Sequence, residues 1–318
     1  MFEGRRVTVV VPAYNEEKLI RRVLDSMPDL VDRIVVVDDA SSDATAPILD
    51  EAKTRLHDRL AVVRHDKNGG VGAAIVTGYK SALLERDDRG LVVVMAGDAQ
   101  MDPGDLPRLL LPLARGEADY TKGNRLFTGE AWRIIPRHRY LGNAVLSLLT
   151  KMASGYWHVA DSQSGYTAIT QETLRVLQLD RLYKRYGFPN HLLVELNNYD
   201  FRVRDVPIRP IYNIGEVSGI RLPKVIPTLS WLLVKCYFWR MKEKYIIRDF
   251  HPLVFFLVMG LLLTGGGFLL GLYILYLRVT TGAIAPTVAI FDAFCLISGM
   301  QMLFFAMWMD MEHNKGLK

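Results

Sequence analysis

The amino-acid sequence predicts an α/β domain built on a largely parallel sheet, followed by amphipathic helices and a hairpin of two membrane-spanning helices. Short β-branched runs alternate with amphipathic helical segments from the first residues onward, which is the pattern of βαβ units. Polar side chains follow several of these runs directly. The chain is 50% hydrophobic, and most of the apolar excess lies in its last quarter. Together these observations predict a ligand-binding domain attached to a membrane.

Chain length, charge and cysteine content narrow the class of protein. The 318 residues suffice for one large α/β domain with appendages. A net charge of +5 suits phosphorylated ligands and anionic lipid headgroups, and we predict no nucleic-acid partner. The two cysteines, Cys236 and Cys295, both lie in the apolar part. They indicate a reducing compartment and neither a disulfide scaffold nor a cysteine-based metal site.

Hydrophobic periodicity predicts the elements of the α/β domain. The first seven residues hold no apolar signal-peptide core, so we expect that no cleaved signal exports the domain. The predicted strands are 7–11, 34–37, 61–64, 91–96, 118–122 and 201–208. The predicted helices are 16–27, 44–56, 71–85, 103–115 and 137–152. This alternation predicts helices on both faces of the sheet.

Aromatic and basic side chains mix in the segment 223–250, which joins the α/β domain (1–222) to the apolar part (251–318). At helical spacing this mixture is typical of helices that lie in a membrane surface. The alternative is an ordinary amphipathic helix packed on the domain. The aromatic residues are Trp231, Tyr237, Phe238, Trp239 and Tyr245, and the basic ones are Lys235, Arg240, Lys242, Lys244 and Arg248.

Two stretches with at most one charge, 252–277 and 284–309, are long enough to span a bilayer. The flank before them is rich in Lys and Arg, whereas the connection between them holds only Arg278. The positive-inside rule therefore predicts an integral membrane protein with its domain and both termini in the cytoplasm. The three glycines at 265–267 would allow close helix packing, including in a homo-oligomer. Asp292 indicates either a functional group or a side chain that reaches the interface.

Acidic and hydroxyl side chains follow the second predicted strand, at 38–43. A carboxylate at the carboxyl end of a strand is well placed to accept hydrogen bonds from a ribose or a base. The alternative is a cap of the next helix. We predict that Asp39 binds the ligand and that Asp43 is the cap.

A glycine-rich segment, Lys-Asn-Gly-Gly-Val-Gly-Ala-Ala at 67–74, precedes a predicted helix. Its amides and the helix N-terminus would suit a phosphate, with Lys67 as the countercharge. The glycine spacing is not that of a P-loop or a dinucleotide fingerprint. A mobile loop or a tight turn explains the segment equally well.

Asp98 and Gln100 follow the buried run 91–96. Their side chains stand two residues apart, so in an extended backbone they point to the same side. With a diphosphate and water they would complete the oxygen shell of Mg²⁺ or Mn²⁺. The sequence therefore predicts a divalent metal site at Asp98 and Gln100.

Arginines and a further carboxylate come later in the chain. Arginines that converge on a site would hold phosphate through paired hydrogen bonds, although a solvated basic face is the alternative for each. Asp161 lies in a Gly/Ser-rich loop and is either a turn residue or a site carboxylate. The arginines are Arg125, Arg133, Arg137 and Arg139.

Five motifs in order resemble glycosyltransferase family 2, and within it the polyprenyl-phosphate hexose synthases. They are Val-Pro-Ala-Tyr-Asn-Glu-Glu at 11–17, Val-Asp-Asp-Ala-Ser at 37–41, Asp-Ala-Gln at 98–100, Gly-Asn-Arg at 123–125 and Asp-Ser-Gln-Ser-Gly at 161–165. The segments 188–195 and 218–221 and the apolar hairpin extend the resemblance over nearly the whole chain. The signature of processive polysaccharide synthases is absent, which favours the addition of one sugar.

The resemblance implies a GT-A fold, which is a Rossmann-like nucleotide half joined to an acceptor half. It implies that Asp98 and Gln100 hold the metal, and that Arg125 and Arg139 clamp the acceptor phosphate. Asp161 would orient the donor or the acceptor. The implied nucleotide-binding residues are Pro12, Tyr14, Glu16 and Asp39, and the predicted set also includes Asn15 and Lys67.

One departure from the family pattern concerns the metal. Relatives have Asp-x-Asp-x-Gln where this chain has Ala96, Asp98 and Gln100, so the first carboxylate is missing. The prediction is an inverting transfer of one hexose from GDP-mannose or UDP-glucose to dolichyl or undecaprenyl phosphate at the cytoplasmic membrane face. The alternatives are a GT-A transferase with another lipid acceptor and an inactive membrane assembly module.

Overall fold

The computed structural model describes residues 1–85, 89–127, 137–209, 211, 222–282 and 284–318, with the backbone alone at 137–144 and 222–225. The chain divides into two compact units. The first comprises Met1–Tyr237 with Leu317–Lys318, and the second comprises Phe238–Gly316.

A seven-stranded mixed sheet lies at the centre of the first unit, in order β3-β2-β1-β4-β6-β5-β7. Three parallel pairings join β1 to β2, β1 to β4 and β2 to β3, and β5 also runs parallel to β7. Among the described strands, only β6 runs antiparallel to its neighbours, β4 and β5. The strands are β1 (Val7–Ala13), β2 (Arg33–Asp38), β3 (Leu60–Arg64), β4 (Leu91–Val94), β5 (Tyr120–Asn124), β6 (Thr167–Thr170) and β7 (Val203–Pro207).

Helices cover both faces of this sheet. Successive side chains of β1 alternate between two cores, because Val9 and Val11 pack into one cluster and Val10 into the other. Burial on both faces explains why the strands read as continuous apolar runs. The helices of the chain are α1 (Ile20–Asp25), α2 (Thr45–Leu56), α3 (Val71–Leu83), α4 (Leu106–Ala114), α5 (Arg137–Ser154), α6 (Gln171–Val176), α7 (Phe188–Asn198), α8 (Leu222–Lys242), α9 (Leu253–Thr281) and α10 (Pro286–His313).

The predicted α/β class is confirmed, with several local differences. Strand β6 and the helices α6 and α7 were not predicted; the residues of β6, Thr-Ala-Ile-Thr, form no continuous apolar run. Helix α1 is shorter than the predicted 16–27, and the turn before it is held by side chains that follow β2. Thr45 Oγ1 accepts from the Glu16 amide at 2.9 Å, and Asp43 accepts from the Glu17 amide at 3.1 Å.

The second unit contains the two long apolar helices α9 and α10, each long and apolar enough to cross a membrane. They pack at glycines: a Cβ at Gly260 would lie 2.9 Å from the Leu303 side chain, and one at Gly267 would lie 2.9 Å from Leu296. Around Gly265, by contrast, there is open space. Gly267 therefore serves the packing of the hairpin itself.

A buried polar cluster joins the start of the second unit to the end of α10. The Arg240 guanidinium is fully buried and binds both oxygens of Asp310, at 2.7 and 3.0 Å. Tyr245 donates to Asp310 at 2.6 Å, and Lys244 donates to Asn314 at 2.8 Å. The prediction that Arg240 and Lys244 meet lipid headgroups is therefore wrong, because both side chains are buried in this cluster.

We expect the replacement of Arg240 by Met to destabilise the protein by about 3–5 kcal/mol, since it leaves the Asp310 carboxylate buried without its counterion. The double variant Arg240→Met/Asp310→Leu should recover most of this loss. Thermal unfolding of the detergent-purified protein measures both, with Lys315→Met at the exposed pair with Glu312 as control. An Arg240→Met variant that unfolds at the wild-type temperature would contradict this role of the cluster.

Candidate functional site

Pairing directions bring the predicted site residues to one edge of the sheet. Strands β1, β2 and β4 are parallel neighbours, so the segments that follow them meet at their carboxyl ends. Two backbone hydrogen bonds join these segments: the Asp39 amide donates to the Ala13 carbonyl at 2.9 Å, and the Gly97 amide donates to the Pro12 carbonyl at 3.1 Å. Pro12, Asp39 and Asp98 thus share one edge.

The turn after β1 presents Tyr14 and Glu16. Asn15 has a positive φ of 57° and holds this turn against the loop after β2: its amide donates to Ser41 Oγ at 3.0 Å, and its side-chain oxygen accepts from the Ser42 amide at 2.8 Å. Asn15 therefore supports the turn through its own hydrogen bonds. The ring of Tyr14 is 48% exposed, as a residue that stacks on a ligand would be.

Asp39 is buried beside the glycine-rich loop. Its Oδ1 accepts from the Gly69 amide at 2.8 Å and from His65 Nδ1 at 2.7 Å, and its Oδ2 accepts from the Gly70 amide at 2.7 Å. A Cβ at Gly70 would lie 2.7 Å from the Lys184 carbonyl oxygen. Of the interpretations left open for this loop, the tight turn fits, because these two amides bind a carboxylate of the protein.

Two further predicted residues, Lys67 and Asp43, lie in the glycine-rich loop and in the loop after β2. Lys67 is exposed on the loop. Asp43 accepts from the Thr45 amide, the first of α2, at 3.0 Å, which agrees with its predicted capping role.

Asp98 and Gln100 lie in a turn directly after β4. The Gln100 amide donates to Asp98 Oδ1 at 3.1 Å across Ala99, which has a φ of 56°. Both side chains are half-buried. Burial, with the charges of Asp98 and Asp43, raises the pKa of Glu16 to about 7. This concentration of negative charge at the edge suits a cation.

The oxygens of Asp98 and Gln100 fit a hard divalent ion that takes its other ligands from a diphosphate and water. Ala96 supplies no ligand. Among the residues that the structure describes, no cluster of three or more His, Cys, Asp or Glu side chains has the arrangement of a metal site. A bound ion would therefore depend largely on the ligand's own oxygens.

An ion pair between a buried carboxylate and a half-buried guanidinium lies at the same edge, beyond β4. Because β6 is antiparallel to both β4 and β5, strand β5 again ends at this edge. Arg125 follows β5 and forks onto Asp161, with Nε at 2.7 Å from Oδ2 and Nη2 at 3.1 Å from Oδ1. Burial alone would raise the pKa of Asp161, but the charge and hydrogen bonds of Arg125 lower it below its ordinary value.

Two further charged residues support this pair and were missed from the sequence. Lys122 on β5 is fully buried and donates to the Ser164 carbonyl, and Asp205 on β7 accepts from the Ala160 amide at 2.7 Å. They are direct partners in the β5–β7 register. Burial lowers the pKa of Lys122 to about 8 and raises that of Asp205 to about 6. The signal in the sequence that could have identified Lys122 is the presence of a lysine within a short strand.

One hydrogen bond joins the segment after the Asp161 loop to the segment after the Asp98 turn. The Tyr166 hydroxyl, at the end of the Asp161 loop, donates to the Asp102 carbonyl at 2.9 Å, which fixes that loop beside the turn of Asp98. Arg139 lies on α5, where only the backbone is described, as does Arg137. Arg133 and the segment 218–221 lie outside the described residues.

Replacement of Glu16 by Gln should stabilise the protein in the absence of nucleotide and metal. With a folded pKa of about 7 against an ordinary 4.5, Glu16 makes stability fall as pH rises through this interval. At pH 8 we expect a gain on the order of 1 kcal/mol after allowing for solvent screening, and near pH 4 we expect none. Thermal unfolding at both pH values measures it, with the exposed Glu51→Gln as control. If the gain of Glu16→Gln over the wild type is no larger at pH 8 than near pH 4, the raised pKa of Glu16 is contradicted.

Known proteins resemble this chain in sequence. An undecaprenyl-phosphate mannosyltransferase of Micrococcus luteus is 31% identical over 235 residues, which cover 71% of this chain and 93% of that protein. A UDP-N-acetylglucosamine–dolichyl-phosphate N-acetylglucosaminyltransferase of Methanococcus voltae is 30% identical over 218 residues, which cover 65% of this chain and 86% of that protein.

The fold and the family are also shared. Glucosyl-3-phosphoglycerate synthase from Mycobacterium tuberculosis, in a crystal structure with Mn²⁺ and UDP, superposes with a TM-score of 0.53 at 24% identity, covering 74% of this chain and 80% of that one. The fold is thus GT-A-like, as predicted. The family model described as glycosyl transferase family 2 matches residues 8–177, which is more than half of the chain. With its two apolar helices, this chain is a membrane-associated glycosyltransferase of family 2.

Proposed function

We propose that this enzyme transfers one hexose from a nucleotide sugar to a polyprenyl phosphate at the cytoplasmic face of a membrane. The observation that carries the proposal is that one sheet edge holds both an acidic group, Glu16 and Asp98, and the Arg125–Asp161 ion pair, whose guanidinium is half-buried. The first suits a metal-bound diphosphate and the second suits an anionic acceptor. Relatives named as polyprenyl-phosphate and dolichyl-phosphate sugar transferases support the acceptor class.

The chemistry of a phosphate acceptor suits these residues. The second pKa of a phosphate monoester is about 6, so the acceptor is anionic at neutral pH and needs little help from a general base. The larger obstacle is the repulsion between the acceptor phosphate and the donor diphosphate. Cationic side chains at the acceptor position lower this repulsion, and an in-line attack would invert the anomeric centre.

Each residue has a distinct part in this proposal. Asp98 and Gln100 would hold Mg²⁺ or Mn²⁺, which when bound stabilises the departing diphosphate. Asp161 fixes the direction of the Arg125 guanidinium, whose positive charge would attract the acceptor phosphate. Arg139, near the start of α5, is proposed as the second cation. Pro12, Tyr14, Asn15, Glu16, Asp39 and Lys67 stand as the proposed nucleotide-binding set.

The membrane arrangement follows from charge. Helices α9 and α10 would form the anchor, and the basic flank before α9 would stay in the cytoplasm with the catalytic domain and both termini. On α8, the exposed Trp231 lies under Lys235 at 5.4 Å, a pair that suits the lipid headgroup region. A lipid-linked acceptor would then reach the enzyme from within the same membrane.

Transfer is tested with purified protein in detergent, polyprenyl phosphate and a panel of radiolabelled nucleotide sugars, by counting label in the organic phase. We expect label from one donor, less transfer with EDTA, and a loss of about 100-fold or more in Asp98→Asn. The control is Asp58→Asn, an exposed residue before β3 at the opposite edge. Absence of transfer from every donor by the wild type would contradict the proposal.

Replacement of Arg125 by Lys should weaken the acceptor site selectively. Lysine cannot bind Asp161 through two parallel hydrogen bonds and offer further donors to a phosphate. We expect the KM for polyprenyl phosphate to rise about tenfold or more, with nucleotide affinity unchanged. Arg204→Lys, at an exposed ion pair with Glu117, is the matched control. An equal loss of nucleotide and acceptor affinity would assign Arg125 a general structural role.

A further inference from the structure

The acceptor capacity of Asp39 is almost filled by the protein itself. A carboxylate offers about four lone-pair positions, two on each oxygen. His65 Nδ1 and the Gly69 amide occupy both positions of Oδ1, at 2.7 and 2.8 Å. The Gly70 amide occupies one position of Oδ2, at 2.7 Å. One acceptor position, on Oδ2, remains for a ligand.

His65 is held so that it keeps donating to Asp39. Its Nε2 lies 2.9 Å from Thr77 Oγ1 on α3, and its backbone amide donates to the Asp38 carbonyl at 2.9 Å. An ionised carboxylate accepts only, so Nδ1 carries a proton, while Nε2 shares a hydrogen bond with the Thr77 hydroxyl, which can donate or accept. The ring is thus fixed at both nitrogens and from its own backbone.

The two candidate nucleobases, uracil and guanine, present different numbers of N–H donors to this carboxylate. The Watson–Crick edge of uracil has one N–H group between two carbonyl oxygens, so it needs one acceptor position. Guanine presents two neighbouring N–H donors, which a carboxylate satisfies only by using both of its oxygens. Asp39 can meet the first demand and not the second.

We propose that the donor is a uridine diphosphate sugar, and that His65 determines this by filling Oδ1 of Asp39. The proposal rests on the nucleotide-sugar donor of the proposed function and on Asp39 as the residue that reads the base. Guanine would bind only with one donor unpaired or with the His65–Asp39 bond broken. Either defect lowers affinity about 5- to 150-fold.

Equilibrium binding tests this inference without any acceptor. Isothermal titration of the full chain in detergent, with Mg²⁺, should give UDP at least about tenfold tighter binding than GDP. In His65→Leu, which frees a position on Oδ1, the preference should fall toward equality. His65→Asn returns an N–H donor near the position of Nδ1 and should retain the preference. Asp66→Asn, at the exposed neighbour, is the control.

The outcomes separate this inference from the proposed function. Equal or tighter binding of GDP by the wild type would overturn it, as would a folded His65→Leu protein that keeps the full preference. Binding of UDP by a protein that transfers no sugar to polyprenyl phosphate would support the base assignment and contradict the proposed acceptor. Binding of neither nucleotide would overturn both.

Discussion

The site depends on the direction in which seven strands pair. Strands β1, β2 and β4 are parallel, and the antiparallel β6 returns the chain so that β5 again ends at the same edge. Residues far apart in sequence, such as Asp39, Asp98 and Arg125, are therefore brought to one edge. A slip of one residue in any strand would turn its side chains to the opposite face.

The enzyme keeps charge in its interior at the places where its chemistry needs orientation. Lys122 and Asp161 are buried beside the half-buried Asp205 and Arg125, at the place proposed for the acceptor, and burial shifts the pKa values of Lys122 and Asp205. Buried ion pairs are poor sources of stability because desolvation offsets most of their attraction. Their value here is positional, because they fix the 161–164 loop and the direction of one guanidinium. The cluster around Arg240 and Asp310 performs a similar structural task in the second unit.

Sequence patterns predicted most of the fold and the polar ends of the strands, because β-branched runs and their termini are local signals. They missed β6, whose pairing partners lie far away in the chain. They also missed His65, which looks like an ordinary loop residue until the structure places its ring against Asp39. Arg240 was assigned to the lipid surface because its neighbours are basic and aromatic. Its partner carboxylate, Asp310 on α10, lies 70 residues further along the chain, so the sequence around Arg240 does not reveal it.

The protein supplies few ligands to the proposed metal site at Asp98 and Gln100. Ala96 removes one carboxylate, and the negative charge that remains at the edge already raises the pKa of Glu16. In the proposed site a donor would supply diphosphate oxygens as further ligands, so the metal and the nucleotide should bind together.

The central claim is that donor and acceptor meet at this one edge of the sheet. Its most direct test is a structure of the full chain with Mn²⁺ and a nucleoside diphosphate, with diffraction recorded at the manganese absorption edge. The account predicts an anomalous peak beside Asp98 and Gln100, with the diphosphate facing Arg125. A peak at another place in the protein, or a nucleotide bound away from the carboxyl ends of β1, β2 and β4, would contradict it.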